Sequence, residues 1–336
     1  MPEPARFRQP ALPGGVTPRR RLPVSPDAVQ AVVAGVRRHL RAPDTFPLSP
    51  PKWPGTLERP PVERTLGVDY DTDWAREPAA RLGRAVVQDL LSAPVVRALA
   101  TPEVRGLDRI AHLDEPVIFA ANHASHLDAP LLVSVIPQRW RRDLFVAGAA
   151  DYFFDTRFKA AAFAFLLNAV PIERQKVSRA SAQRVSELLA DGWSMLIFPE
   201  GGRSPDGWAQ PHRAGAAWMA ARTGRPIVPV HVEGTGRILP KGARQIRPGR
   251  TSVTFGRPLR PAPGDDPRAL ATRLERDIAA LADELGSDWY TARRRAAAGT
   301  TPPLTGPDAA EWRRAWALGE RSGSARRKRR SGRWPR

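Results

Sequence analysis

Three short segments of this sequence combine residue types that can do chemistry. The first runs Asn122-His123-Ala124-Ser125-His126-Leu127-Asp128 and sets a carboxylate five residues after an imidazole. A carboxylate bonded to one ring nitrogen fixes the tautomer and makes the other nitrogen a better proton acceptor. Such a pair can take a proton from an alcohol as it attacks an acyl carbon. The same spacing also suits a structural capping pair, and taken alone it favours that reading. His123, His126 and Asp128 could instead hold a metal, but no later cluster supplies a further ligand at diagnostic spacing.

The second segment, Asn168-Ala169-Val170-Pro171-Ile172-Glu173-Arg174, ends a short apolar run in a guanidinium, which can bind a phosphate with two charge-assisted bonds. The third, Phe198-Pro199-Glu200-Gly201-Gly202-Arg203-Ser204, ends an apolar run in an acid, two glycines and another arginine. Glycines let backbone N–H groups approach an anion closely. By itself, either segment reads as a surface turn with a salt bridge.

The elements that must position these residues follow from periodicity. Apolar runs predict strands at 116–122, 144–150, 168–172, 194–200, 226–234 and 251–256. Helical patterns fall at 127–136, 157–167, 178–192 and 214–224, and near 267–285. Strands alternating with helices imply an α/β domain with a largely parallel central sheet flanked by helices. In such sheets chemistry sits in the loops after strand C-termini, where all three segments lie.

With their order and intervals, these motifs resemble the glycerolipid acyltransferase family, in particular the 1-acyl-sn-glycerol-3-phosphate acyltransferases. NHASHLD is similar to the family's His-x4-Asp motif, NAVPIER to the second, FPEGGRS to the third and PIVPV (226–230) to the fourth, with VTFGRPL (253–259) downstream. The chain departs from the family at Asn168, where Gly is usual, at Gly202, where Thr is common, and at His212-Arg213-Ala214-Gly215, where Phe-Lys-x-Gly is usual. The first and third of these departures touch the acceptor pocket that the resemblance implies.

The resemblance implies that His123 is the general base and Asp128 its orienting partner. It also implies that Arg174, Glu200, Gly201, Gly202, Arg203 and Ser204 form the acceptor phosphate site. Backbone donors near Pro229 would serve the acyl or oxyanion region. The implied reaction moves a fatty acyl group from acyl-CoA or acyl-ACP to the free hydroxyl of 1-acyl-glycerol-3-phosphate, giving phosphatidic acid. No metal and no cofactor beyond the thioester co-substrate is expected. Glycerol-3-phosphate or another lyso-lipid is the alternative acceptor.

Composition bounds the rest. The 336 residues contain no Cys, which excludes thiolate nucleophiles and agrees with a route that needs no acyl-enzyme. The formal net charge of +19 calls for an anionic partner, either a membrane surface or nucleic acid. Nucleic acid is disfavoured because no nucleic-acid motif accompanies the charge. A basic protein that only binds lipid or nucleic acid remains the non-enzyme alternative.

Residues 1–64 are rich in Pro and Arg and read as a loosely ordered extension with one helical fragment near 26–41. Segment 65–105 reads as amphipathic and helical, with Leu82, Val86, Val87, Leu90 and Leu91 on one face and Arg81, Arg84, Gln88 and Asp89 opposite. It is a candidate membrane-contact segment, though an ordinary helix packing on the domain has the same pattern. The acyltransferase domain is expected over 106–295, and 296–336 as a basic, disordered tail. With no export signal and no long apolar run, the expectation is a cytoplasmic protein bound peripherally to the inner face of the membrane.

Overall fold

In the computed structural model the described residues are 67, 70–173, 179–204, 207–241, 243, 245–262 and 264–306. The extension over 1–64, its helix near 26–41, and the tail beyond 306 lie outside them. Among the described residues one sheet holds seven strands: β1 (Pro102–Arg105), β2 (Ile118–Ala121), β3 (Leu144–Ala149), β4 (Ala169–Ile172), β5 (Ser194–Ile197), β6 (Ile227–Glu233) and β7 (Thr251–Phe255). Their spatial order is β1-β7-β6-β2-β5-β3-β4, and every neighbouring pair is parallel except β6 with β7. The sheet is therefore largely parallel, as the alternation of elements implies. Strand β1 was not legible from hydrophobic pattern because its residues, Pro-Glu-Val-Arg, alternate only between intermediate and exposed.

The helices in chain order are α1 (Pro78–Val87), α2 (Ala93–Ala100), α3 (Asp128–Val135), α4 (Gln138–Arg141), α5 (Ala150–Phe153) and α6 (Arg157–Leu167). They continue with α7 (Arg179–Ala190), α8 (Gly215–Thr223), α9 (Thr235–Ile238), α10 (Pro267–Gly286) and α11 (Trp289–Ala298). Successive residues of a strand point to opposite faces, so β2 divides its side chains between two cores. Phe119 and Ala121 pack with Leu131, Leu132, Val228 and Val230, while Ile118 and Ala120 pack with Leu189, Met195, Leu274 and Ile278. All of β2 is buried, as a central parallel strand covered on both sides must be. This rigid strand ends one residue before Asn122 and thereby fixes where His123 can stand.

Helices α1 and α2 are joined by one π turn at Gln88–Ser92, so the pattern does not stop at Pro94. The π turn receives Pro94, which lacks an N–H, near the start of α2, where that loss is tolerated. It also rotates the helix. Leu82 and Val86 before it and Leu90 and Leu91 within it are exposed, whereas Ala93, Val96, Leu99 and Ala100 after it are buried. The polar face of α1 is the one held against the protein. Arg84 is buried and donates to Ala75 O at 2.7 Å, Arg81 pairs with Asp143, and Gln88 Nε2 donates to Leu166 O at 2.8 Å. Ordinary packing through the apolar face is therefore not what α1 does.

Candidate active site

His123 and Asp128 are brought together. His123 Nδ1 lies 2.8 Å from Asp128 Oδ2, and the carboxylate is fully buried at the start of α3. The same oxygen accepts from Ala124 N at 2.7 Å and Ser125 N at 2.8 Å, so the loop wraps around the acid. An oxygen that already accepts from two backbone N–H groups stands as an acceptor toward the ring as well. The ring proton then belongs on Nδ1, leaving Nε2 with a lone pair. Asp128 Oδ1 is buried with no hydrogen-bond partner among the described residues.

The residues around the pair hold it by their own chemistry. Asn122 accepts from Val232 N at 2.7 Å and donates to Val232 O at 2.8 Å, clasping the end of β2 to β6. Ser125 Oγ donates to Leu239 O at 2.8 Å and accepts from Leu127 N at 3.1 Å. The imidazole of His123 stacks on Phe198, with ring centroids 4.1 Å apart and planes 19° apart. Phe198 was legible only as part of a motif, because nothing in its spacing marks it as a partner of His123.

The third segment divides between lining and support. Gly201, Gly202 and Arg203 line a cavity of about 1000 Å³ together with His123. Glu200 does not: it is buried, and its oxygens accept from His123 N and Gln210 N, each at 2.7 Å. Its carboxylate holds the backbone of the His123 loop rather than facing a ligand. Ser204 is also buried, and its N–H donates to His123 O at 2.8 Å while its Oγ accepts from Gly207 N at 2.7 Å. Gly201 sits at φ +69, with a built Cβ 2.8 Å from Arg213 Nε, so a side chain there would be both strained and crowded.

Two further residues expected from the sequence are Pro229 and Arg174. Pro229 is buried inside β6 beside Ala120, and its carbonyl accepts from Gly256 N at 2.8 Å; it does not line the cavity. Arg174 lies outside the described residues. Asn168, a departure from the family pattern, does not touch the cavity either. It caps α6 at φ +49, a left-handed conformation that Asn tolerates better than other non-glycine residues. Its Nδ2 donates to Leu144 O at 3.0 Å, so the amide stands in for a glycine by anchoring the turn.

The cavity wall is mostly apolar and includes Phe163, Ile172, Met195, Ile197, Ala216 and Met219. Arg213, which stands where the family pattern has Lys, adds a cation, and so do Lys159 and Lys241, which the motifs did not single out. Lys241 donates to Arg203 O at 3.0 Å, as does Gln210 Nε2, which ties the arginine's backbone in place. His126 also lines the cavity. Burial, helped by the nearby Arg203 and His123, pushes its imidazole down to about 4, so it is neutral at pH 7. Among the described residues no group of His, Cys, Asp and Glu is arranged to hold a metal ion.

Residues 101–233 match the Acyltransferase family model. A chloroplastic 1-acyl-sn-glycerol-3-phosphate acyltransferase of Brassica napus is 31% identical over 47% of this chain and 44% of its own length. The 1-acyl-sn-glycerol-3-phosphate acyltransferase of Pseudomonas aeruginosa is 30% identical over 52% of this chain and 65% of its own. The chain thus spans less than two thirds of these curated relatives. The crystal structure of the 1-acyl-sn-glycerophosphate acyltransferase of Thermotoga maritima shares the fold, with a TM-score of 0.51, 23% identity, and coverage of 63% of this chain and 84% of that one. The chain resembles the 1-acyl-sn-glycerol-3-phosphate acyltransferases in sequence, and this resemblance centres on the segment that carries the His123–Asp128 pair.

Proposed function

We propose that the protein transfers a fatty acyl group from a thioester, acyl-CoA or acyl-ACP, to the free hydroxyl of 1-acyl-glycerol-3-phosphate, giving phosphatidic acid. One observation carries this reading: an imidazole oriented by a buried carboxylate stands in the wall of a largely apolar cavity of about 1000 Å³. That volume is at the upper end of small-molecule sites and can take a long acyl chain. His123 Nε2 takes the proton of the acceptor hydroxyl as its oxygen bonds to the thioester carbonyl carbon. The tetrahedral oxyanion then collapses, the C–S bond breaks, and the thiolate leaves with the proton from His123. No acyl-enzyme forms, in keeping with the absence of Cys. Arg203 and Lys241 are the cations in the wall that suit the acceptor phosphate, with Arg174 added by resemblance.

The acceptor is a bilayer lipid, and the exposed Leu82, Val86, Leu90 and Leu91 of the α1 segment give the protein an apolar face to lay on one leaflet. Among the described residues no helix is long and apolar enough to cross a membrane. Basic residues near anionic headgroups would add about 1 kcal/mol each, which supports docking on the inner face of the membrane. Acyl transfer measured with a panel of lyso-lipid acceptors tests the function. A His123→Ala variant should lose a factor of about 10²–10⁴ in turnover. Near-normal turnover in that variant would sink the mechanism, and a preference for glycerol-3-phosphate would move the acceptor.

A further inference from the structure

Between β6 and β7 the chain makes a compact surface loop over residues 234–250. Its ends meet at Gly234, whose φ is +91 and whose built Cβ would strike Arg250 O at 2.5 Å. Ile238 is buried inside the loop against Gly249, and Arg247 N donates to Ile238 O at 2.9 Å. Side-chain bonds fasten the loop to the site: Ser125 Oγ to Leu239 O at 2.8 Å and Lys241 Nζ to Arg203 O at 3.0 Å. A third bond, Gly249 N to Leu99 O at 2.9 Å, fixes its far side to α2.

The loop's charge is one-sided. From Gly234 to Gly264 the sequence has no Asp or Glu, and the described part of the loop carries Arg237, Lys241, Arg247 and Arg250. Elsewhere on the surface arginines sit close to acids, as in Arg105–Glu103, Arg141–Asp89, Arg260–Glu115 and Arg295–Asp283. Arg247 and Arg250 are exposed with no carboxylate partner among the described residues, and Arg237 reaches Glu233 only at 3.8 Å. Cations held together without acids repel one another until an anion covers them.

We infer that this loop binds the phosphate-bearing end of the acyl donor, the 3′-phosphorylated adenosine diphosphate of coenzyme A. The inference rests on the acyl-transfer reading and assigns the place of the donor's polar end. With the thioester carbonyl at His123 and the acyl chain in the cavity, the rest of the donor must leave over the cavity's rim. Lys241 belongs to both that rim and the loop. Three phosphates on a compact nucleotide match guanidinium forks on a short loop. A bilayer already has the apolar face of α1.

The test compares the wild type with the Arg247→Glu/Arg250→Glu double variant, whose changes are exposed and outside the catalytic machinery. Donors carrying one acyl chain on CoA, 3′-dephospho-CoA, pantetheine or acyl carrier protein are used, and binding of 3′,5′-ADP is measured by calorimetry. In the wild type, kcat/KM should favour acyl-CoA over acyl-pantetheine by at least about tenfold, the scale of one or two charge-assisted hydrogen bonds. In the variant that preference and 3′,5′-ADP binding should both fall, with transfer from acyl-pantetheine unchanged. The inference is overturned by a wild type indifferent to the nucleotide or one that prefers acyl carrier protein. It is equally overturned by a variant that keeps both the preference and the binding, or that loses only its attachment to anionic vesicles. Charge-dependent 3′,5′-ADP binding without transfer from any donor would leave this site standing and remove the acyl-transfer reading.

Discussion

Helices α1 and α10 are both amphipathic, yet they face opposite ways. In α10 the apolar residues Leu270, Leu274 and Ile278 recur every four residues and are buried against the sheet. In the segment begun by α1, Leu82, Val86 and Leu90 recur at the same interval and are exposed, Leu90 by 77%. The difference lies in what the polar faces meet. Around α10, Arg109 pairs with Glu284 and Arg295 with Asp283, near the edges of the helix, and its stripe is free to enter the core. In α1 the polar side finds its partners inside the domain: Asp143 and Trp193 for Arg81, the Ala75 carbonyl for Arg84, and Arg141 for Asp89 at the π turn. A helical stripe shows that a face exists, and its partners decide which way it turns.

The comparison predicts unequal costs. Leu274→Ala should lower stability by about 2–5 kcal/mol in thermal or urea unfolding, since it leaves a cavity under α10. A cost below about 1 kcal/mol would mean that this face is not core. Arg84→Ala should cost about 1–3 kcal/mol, because it strips the Ala75 carbonyl of its donor inside the protein. Burial lowers the Arg84 guanidinium to about 10, which still leaves it charged at neutral pH, so the loss includes a charged bond.

Acid should act on the α10 side before it acts on α1. His231, in β6 under α10, and His212, whose N–H donates to Glu275 Oε2 at 3.2 Å, are both pushed down to about 4 by burial. The unfolded chain takes up these protons near pH 6.5 and the folded one does not, so unfolding gains protons in this window. Stability is therefore full above pH 6.5 and falls as pH drops toward 4. Hydrogen exchange should show α10 and β6 opening earlier than α1, and a melting temperature flat from pH 7.5 to 4.5 would contradict this. The smallest effect on stability belongs to Leu82→Ser/Leu90→Ser, within about 0.5 kcal/mol per site. The same variant should lose binding to lipid vesicles. A large drop in melting temperature without a change in vesicle binding would return α1 to the class of ordinary packing helices.

Much of the fold was legible because a parallel sheet writes itself as buried runs between helical repeats, and β2, β5 and β6 stand where those runs are. β1 was not, since an edge strand with a half-exposed pattern carries no apolar signature. In the site, the chemical types were legible and their division of labour was not. Asp128 and Glu200 read alike as acids near a loop. Burial and backbone donors direct the first to the imidazole and the second to the His123 and Gln210 N–H groups.

The sequence by itself determined the α/β class, the three loops that meet above the sheet, and the amphipathic stripe at 82–91. These are local properties, written in residue type and period. Only the tertiary structure decided that the stripe faces outward, that Asn168 replaces a glycine as a helix cap, that Pro229 is shut inside β6, and that a basic loop is fastened to the one that carries His123. Each of those depends on a partner far away in the chain, and spacing along a sequence holds no record of which distant group will be close enough to bond.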